Sequence, residues 1–198
     1  MTVRIIVPHR GLAAAKTRLA PVLDNGEREA LARRLLDQVL HVAHEACGDV
    51  VVITPSEALE PLVAAAGARL VVQRGMGLNA GLEQARAEAI ADGVTTLVIL
   101  HGDLPNLGPD DVAALVDALP ATGGVAIAPD RAGTGTNGLA LRPPDAIGMR
   151  FGVGSLAAHV AEAEAAGIPI AEVHRPGLAF DLDTPADLAR WIVLGDAA

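Results

Sequence analysis

Three groups of side chains in this 198-residue sequence have the types and the spacing for chemistry on phosphates. The first is Asp103, which comes three residues after the apolar and β-branched run Thr95-Thr96-Leu97-Val98-Ile99-Leu100 and shortly before Pro105. Such a run predicts a buried parallel strand. An Asp just beyond it is aimed out of the carboxyl edge of the sheet, where open α/β sheets bind their ligands. There it could hold a divalent metal on a phosphate, although an isolated Asp more often caps a turn. The second group is the loop from His9 to Pro21, which concentrates Arg10, Lys16 and Arg18 in a chain with only 15 Lys and Arg. The third is the pair Asp181 and Asp183, whose spacing of two turns both carboxylates to one side of an extended segment. Two like charges held together cost stability unless a cation or donors compensate them.

These are the parts that nucleotidyl transfer needs. Cations neutralise a triphosphate, while two carboxylates from separate segments hold Mg²⁺ against the α-phosphate as an acceptor phosphate attacks and pyrophosphate departs. A fourth feature fits beside them: Phe151-Gly152-Val153-Gly154-Ser155 opens a helix whose free backbone amides suit a carboxylate or phosphate. A tight turn with Ser155 as its N-cap is the alternative there. The histidines fall in unrelated segments and complete no Ser/His/Asp or Cys/His set. No Gly-x4-Gly-Lys loop is present, and no Gly-x-Gly-x-x-Gly follows a strand.

Composition narrows the partners. Hydrophobic residues make up 51% of the chain, yet it has two Phe, one Trp and no Tyr, so the core is aliphatic and stacking on bases is not available. A formal net charge of −9 argues against nucleic acid but not against a nucleotide, which a metal and a few local cations can hold. Cys47 is alone, which excludes a disulfide framework. The sequence shows no signal peptide and no apolar run of membrane-spanning length, so a cytoplasmic protein with no membrane partner is expected.

The elements that must position these groups alternate strand and helix along one domain, 1–198, the pattern of a doubly wound sheet. Strands are predicted at Val3 to Val7, Val50 to Ile53, Arg69 to Val72, Thr95 to Leu100, Gly124 to Ala128 and Ile168 to Val173, and a polar loop from Asp130 to Gly138 separates the fifth of these from a further apolar run, Leu139 to Leu141. Asp24 with Glu27 caps a long amphipathic helix, on whose solvated face His41 and His44 fall. Gln73 to Asn79 turns into a helix over Leu82 to Ile90, and Gly108-Pro109-Asp110-Asp111 opens another. Phe180 to Asp183 is read as a short strand leading into a capped helix, with Asp187 as the capping-box acid.

Taken together, Pro8 to Leu19, Gly77-Leu78-Asn79, Gly102-Asp103-Leu104-Pro105, Gly135-Thr136-Asn137, Phe151 to Ser155 with His159, and Asp181-Leu182-Asp183-Thr184-Pro185 resemble the 2-phospho-L-lactate/phosphoenolpyruvate guanylyltransferases of coenzyme F-420 biosynthesis. The resemblance runs in order through nearly the whole chain. It implies a three-layer, glycosyltransferase-A-like nucleotidyltransferase fold: a mostly parallel sheet with a small antiparallel extension. It further implies GMP transfer from GTP to the phosphate of a small phospho-acid: phosphoenolpyruvate, 2-phospho-L-lactate or 3-phosphoglycerate. By position, Lys16, Arg18 and Asp103 would be catalytic and Arg10, Lys16, Gly77 and Asn79 would bind the nucleotide. Thr136, Gly152 and Ser155 would bind the acceptor, and Asp103, Asp183 and, more weakly, Asp181 would hold Mg²⁺. A homodimer is compatible with the resemblance, which does not fix the oligomeric state. Arg10 stands where the family usually has lysine, replacing a point charge with a planar fork. A nucleotidyltransferase for a pterin or sugar phosphate, and a non-catalytic nucleotide-binding relative, are the alternatives.

Overall fold

The computed structural model describes residues 2–195. Seven strands form one sheet in the order β3-β2-β1-β4-β6-β5-β7. They are β1 (Val3–Pro8), β2 (Val50–Thr54), β3 (Arg69–Val72), β4 (Thr96–Leu100), β5 (Gly124–Pro129), β6 (Thr136–Arg142) and β7 (Ile170–Glu172). β2 and β4 flank β1 in parallel, and β3 and β7 are parallel to β2 and β5. β6 alone runs against its neighbours, inserted between β4 and β5 rather than appended at an edge. Its reversed direction carries its first residues, Thr136 and Asn137, to the carboxyl end of β4, where Leu100 pairs with Gly138.

Every residue of β4 is buried, as expected of a strand covered on both faces. On one face lie α1 (Asn25–Cys47), α2 (Glu60–Ala65) and α4 (Pro109–Asp117), which contribute Leu36, Val39, Leu40, Val63, Val112 and Leu115 to a core with Ile5, Val7 and Val98. On the other lie α3 (Leu78–Ala91) and α5 (Ser155–Ala165), packing Leu82, Ala85 and Ala163 against Ile6, Ile99 and Leu139. A third, small cluster joins Leu19, Leu35 and Leu182 to Leu188 and Trp191 of the last helix, α7 (Pro185–Gly195). It matters for the site because Leu19 and Leu182 are fully buried and anchor the cationic loop and the acidic segment side by side.

The helix boundaries have local causes. Asp24 accepts from the Glu27 amide while Glu27 reaches back to the Asp24 amide, the reciprocal cap expected there. Asp187 likewise accepts from the Thr184 amide and hydroxyl at 2.9 and 2.7 Å. Two expectations need correction. Phe180 to Asp183 is not a strand: it is an irregular segment after a single helical turn, α6 (Pro176–Ala179), held to the sheet by Leu182 N–H donating to the Asp103 carbonyl. Ser155 does not cap α5; Gly154 is the cap, at φ +71°, and Ser155 is the first helical residue with no capping bond. A left-handed backbone there favours glycine, so the cap role goes to the residue with no Cβ. No described helix is long and apolar enough to cross a membrane.

Candidate active site

The chain leaves β1 toward β2 on one side and returns to β4 on the other, so the crevice at the carboxyl ends of β1 and β4 is the switch point of the sheet. A cleft of about 580 Å³ opens there, lined by Arg10, Lys16, Arg18, His101, Asp103 and Asp183 among others. That is ample for a nucleotide-sized ligand.

Its floor is an ion cluster. Lys16 Nζ donates to Asp103 Oδ2 at 2.7 Å and to Asp183 Oδ1 at 3.0 Å, with only 5% of its side chain exposed. Arg18, exposed at the mouth, lies 3.5 Å from the other Asp183 oxygen. Lys16 has φ +54° and ψ +31°, the one non-glycine residue among those described with a left-handed backbone. Such a conformation costs on the order of 1–3 kcal/mol and persists only where the surroundings over-determine it. Here the buried Leu19 holds one side of the turn and the two carboxylates hold the ammonium.

Burial alone would raise the Asp103 carboxyl and lower the Lys16 ammonium, but each is moved the other way by its partner, so both stay charged. Asp181 is different. Burial first, then the charge of Asp103 and more weakly that of Asp183, push its carboxyl above the ordinary carboxylate range. Two carboxylates therefore share one buried ammonium, and a third, Asp181, lies near enough to feel their charge without reaching it. Asp103 Oδ1 is also buried without any hydrogen-bond partner. An unpartnered anionic oxygen in this hard-oxygen surround fits a divalent cation. Among the described residues no three such side chains already converge in ligating geometry, because Lys16 fills the gap between Asp103 and Asp183.

A second group of residues lies beyond Asp103. Thr136, at the start of β6, is buried, and its hydroxyl is 3.2 Å from His159 Nδ1. His159 Nε2 accepts from the Arg150 amide at 3.0 Å, so the ring proton sits on Nδ1, facing Thr136. Burial lowers this imidazole to about 4 and keeps it neutral. Phe151 packs edge-on against His159, with centroids 4.9 Å apart, and against His101 at 5.6 Å. Asn79 donates to the Phe151 carbonyl and accepts from the Phe151 amide, both at 2.9 Å.

The sequence-predicted residues thus separate into two sets. Lys16, Arg18, Asp103, Asp183, Arg10 and Gly77 line the cleft. Thr136, Gly152 and Ser155 belong to the Phe151 wall beside it, and Asp181 is bonded to Asn137 at 3.4 Å rather than facing Lys16. Asn79 lends its amide to the Phe151 backbone, tying the two walls together. The histidines, which sequence spacing left apart, converge: His9 and His101 both line the cleft, and His159 stands behind Phe151. His9 Nδ1 accepts from the Gly11 amide at 3.0 Å, and burial foremost lowers its imidazole to about 4, so its proton is on Nε2. The rule applied to Asp103, that residues just past a strand's carboxyl end reach the ligand, also covers His9 after β1 and His101 after β4.

Residues 3–198 match a family model described as "Guanylyl transferase CofC like". A phosphoenolpyruvate guanylyltransferase of Sphaerobacter thermophilus is 46% identical over 190 residues, 95% of this chain and 91% of its own. A 3-phospho-D-glycerate guanylyltransferase of Phenylobacterium zucineum is 40% identical over 188 residues, 92% of this chain and 86% of its own. Among solved structures, CMP:2-keto-3-deoxy-manno-octonic acid synthetase complexed with CTP superposes with a TM-score of 0.63 at 18% identity, covering 100% of this chain and 99% of its own. That likeness concerns the fold alone.

Proposed function

Because this chain belongs to the CofC-like guanylyl transferase family, we propose that it transfers GMP from GTP to the phosphate of phosphoenolpyruvate, releasing pyrophosphate, in biosynthesis of coenzyme F-420. The observation that carries this reading is the buried ammonium of Lys16 between Asp103 and Asp183 at the head of a nucleotide-sized cleft, with Arg10 and Arg18 among its lining residues. Arg10 and Arg18 meet the outer phosphates of GTP. Lys16 has three donors; with two given to Asp103 and Asp183, it offers its remaining proton to the phosphate chain. The acceptor's phosphate oxygen attacks the α-phosphorus, and the bond to the bridging oxygen breaks with its electron pair leaving on pyrophosphate. A phosphate nucleophile is already anionic, so no general base and no covalent intermediate are required, and catalysis is positioning and charge neutralisation.

Asp103 and Asp183 would hold Mg²⁺, with Asp181 beside them. The ion would supply charge neutralisation at the α-phosphate. Gly77 and the α3 start lie toward the nucleoside, and Asn79 acts there by fixing Phe151. Thr136, Gly152 and Ser155 take the acceptor acid. The substrates are small molecules, and a cytoplasmic location and a homodimer are consistent with this role. 3-Phosphoglycerate is the second reading, favoured by the relative named for it at 40% identity. Pyrophosphate release measured across the four nucleoside triphosphates, each with phosphoenolpyruvate, 2-phospho-L-lactate and 3-phosphoglycerate, and products identified by mass, tests both. Activity confined to another nucleotide or to sugar phosphates would overturn the proposal.

A further inference from the structure

His101 has an unusual position. Its backbone amide donates to the Asn137 carbonyl at 3.2 Å, next to Thr136. Its ring lies 5.6 Å from that of Phe151, and its side chain lines the cleft beside Asp103. It is therefore the residue shared by the nucleotide cleft and the Phe151 wall. Its Nε2 is buried and has no hydrogen-bond partner. Native proteins rarely leave such an atom unpaired, and where they do a ligand commonly completes it. A role as metal ligand is not favoured, since His101 does not converge with Asp103 and a third donor in ligating geometry among the described residues.

We infer that His101 binds the acceptor: its imidazole donates from Nε2 to the phosphate of the phospho-acid as that phosphate lies between the Phe151 wall and Asp103. The inference rests on the guanylyltransferase reading. The direction of the bond follows from the ligand, because a phosphate oxygen only accepts. Phe151 lies against that ring, and the chain after it turns through two glycines, Gly152 at φ +134° and Gly154 at φ +71°, conformations that a residue with a Cβ rarely adopts. On this inference a rotation of the imidazole or of Phe151 opens the nitrogen to the cleft when the acid binds. The contact is made at the nucleophilic group itself, which makes His101 a catalytic residue rather than part of the wall.

The test compares His101→Phe, which keeps an aromatic ring against Phe151 but has no donor, with His101→Gln, which restores an N–H near the Nε2 position. Steady-state kinetics give KM for each substrate, and calorimetry gives the dissociation constant of phosphoenolpyruvate in the presence of a non-hydrolysable GTP analogue. His101→Phe should raise the acceptor KM and dissociation constant roughly tenfold or more, the loss of one hydrogen bond to an anion, and leave the KM for GTP within about twofold. His101→Gln should recover most of that loss. Unchanged acceptor values, an equal rise for GTP, or a glutamine variant no better than phenylalanine would overturn the inference. If phenylalanine does not fit, His101→Leu takes its place against His101→Gln. A wild-type protein inactive with every phospho-acid would remove the guanylyltransferase reading as well, whereas an active one indifferent to residue 101 removes only this inference.

Discussion

Two ion clusters at opposite ends of the sheet have the same composition, one cation bridging two aspartates, and different character. At the amino edge Arg4 donates from Nε to both Asp49 oxygens, at 2.9 and 3.1 Å, and from Nη1 to Asp92 at 2.8 Å. Its backbone is ordinary strand, and its two partners are 41% and 53% exposed. At the carboxyl edge Lys16 reaches Asp103 and Asp183 from a strained, left-handed backbone, and one oxygen of Asp103 has no partner. The first cluster is finished: a planar fork is matched to its acceptors, and water takes the rest. The second is held together at a cost and left incomplete, with Asp181 adding charge it does not neutralise. Strain and an orphan atom together separate a cluster poised for a ligand from one that joins two elements.

The sharpest way to break this contrast is Asp103→Asn, which keeps the shape and removes the charge. Turnover should fall roughly a thousandfold or more, several kcal/mol of lost charge stabilisation, with little change in Tm. Near-normal rates with saturating Mg²⁺ would place Asp103 with the structural aspartates. Lys16→Met comes next. It should raise the KM for GTP roughly ten- to a hundredfold, clearly more than that for the acceptor, and it should also lower Tm, because Asp103 is left as a buried charge without its partner. Equal changes in the two KM values would detach Lys16 from the triphosphate.

Much of this was legible in the sequence, for identifiable reasons. Strand and helix periodicity located six of the seven strands and marked β6 only as an apolar run, because its polar first residues, Thr136 to Gly138, read as loop; Asp103 could be placed because a strand-end carboxylate needs only the strand to be recognised. What escaped were facts set by backbone geometry or by long-range packing. Ser155 reads as a cap because serine usually is one, but only the left-handed φ of Gly154 reveals that the cap lies one residue earlier. Phe180 to Asp183 alternates like a strand, yet the single turn of α6 before it and its one bond to Asp103 leave it irregular. Asn79 could be matched to a motif, but its reciprocal bonds to Phe151, 72 residues away, depend on how two loops meet. The meeting of His9 and His101 required knowing that β1 and β4 are neighbours, which follows from topology and not from local pattern.

The contrast also has a pH form. His159 titrates near 6.5 in an unfolded chain and at about 4 in the fold, so between those values the unfolded chain binds a proton that the folded one refuses. Stability should therefore be unaffected above pH 7, fall as the pH drops below about 6.5, and level off near 4, with a total loss of about 3 kcal/mol from this group. Unfolding by urea across that range checks it, and His159→Gln should flatten the slope. His9, lowered for the same main reason, contributes the remainder. Arg4→Met, at the finished cluster, should leave kcat and both KM values as they are and lower Tm by a few degrees, since Asp49 and Asp92 can be rehydrated. A loss of turnover would show that the two ends of the sheet are coupled.

The smallest expected effect is also the most discriminating. Had Ser155 been the N-cap of α5, Ser155→Ala would cost about 1 kcal/mol of stability whatever its role in binding. Its place as the first helical residue, with Gly154 as the cap and no capping bond from the hydroxyl, removes that expectation. The hydroxyl is nevertheless on a residue only 3% exposed, beside the wall formed by Phe151 and His159. If it serves the acceptor, Ser155→Ala should raise the acceptor KM by roughly three- to tenfold, the worth of one neutral hydrogen bond, while leaving Tm and the KM for GTP unchanged. Thermal melting and the two KM values, measured on the same preparation, separate the cases: lost Tm with an unchanged acceptor KM returns Ser155 to a structural role. The reverse pattern puts its hydroxyl on the acid.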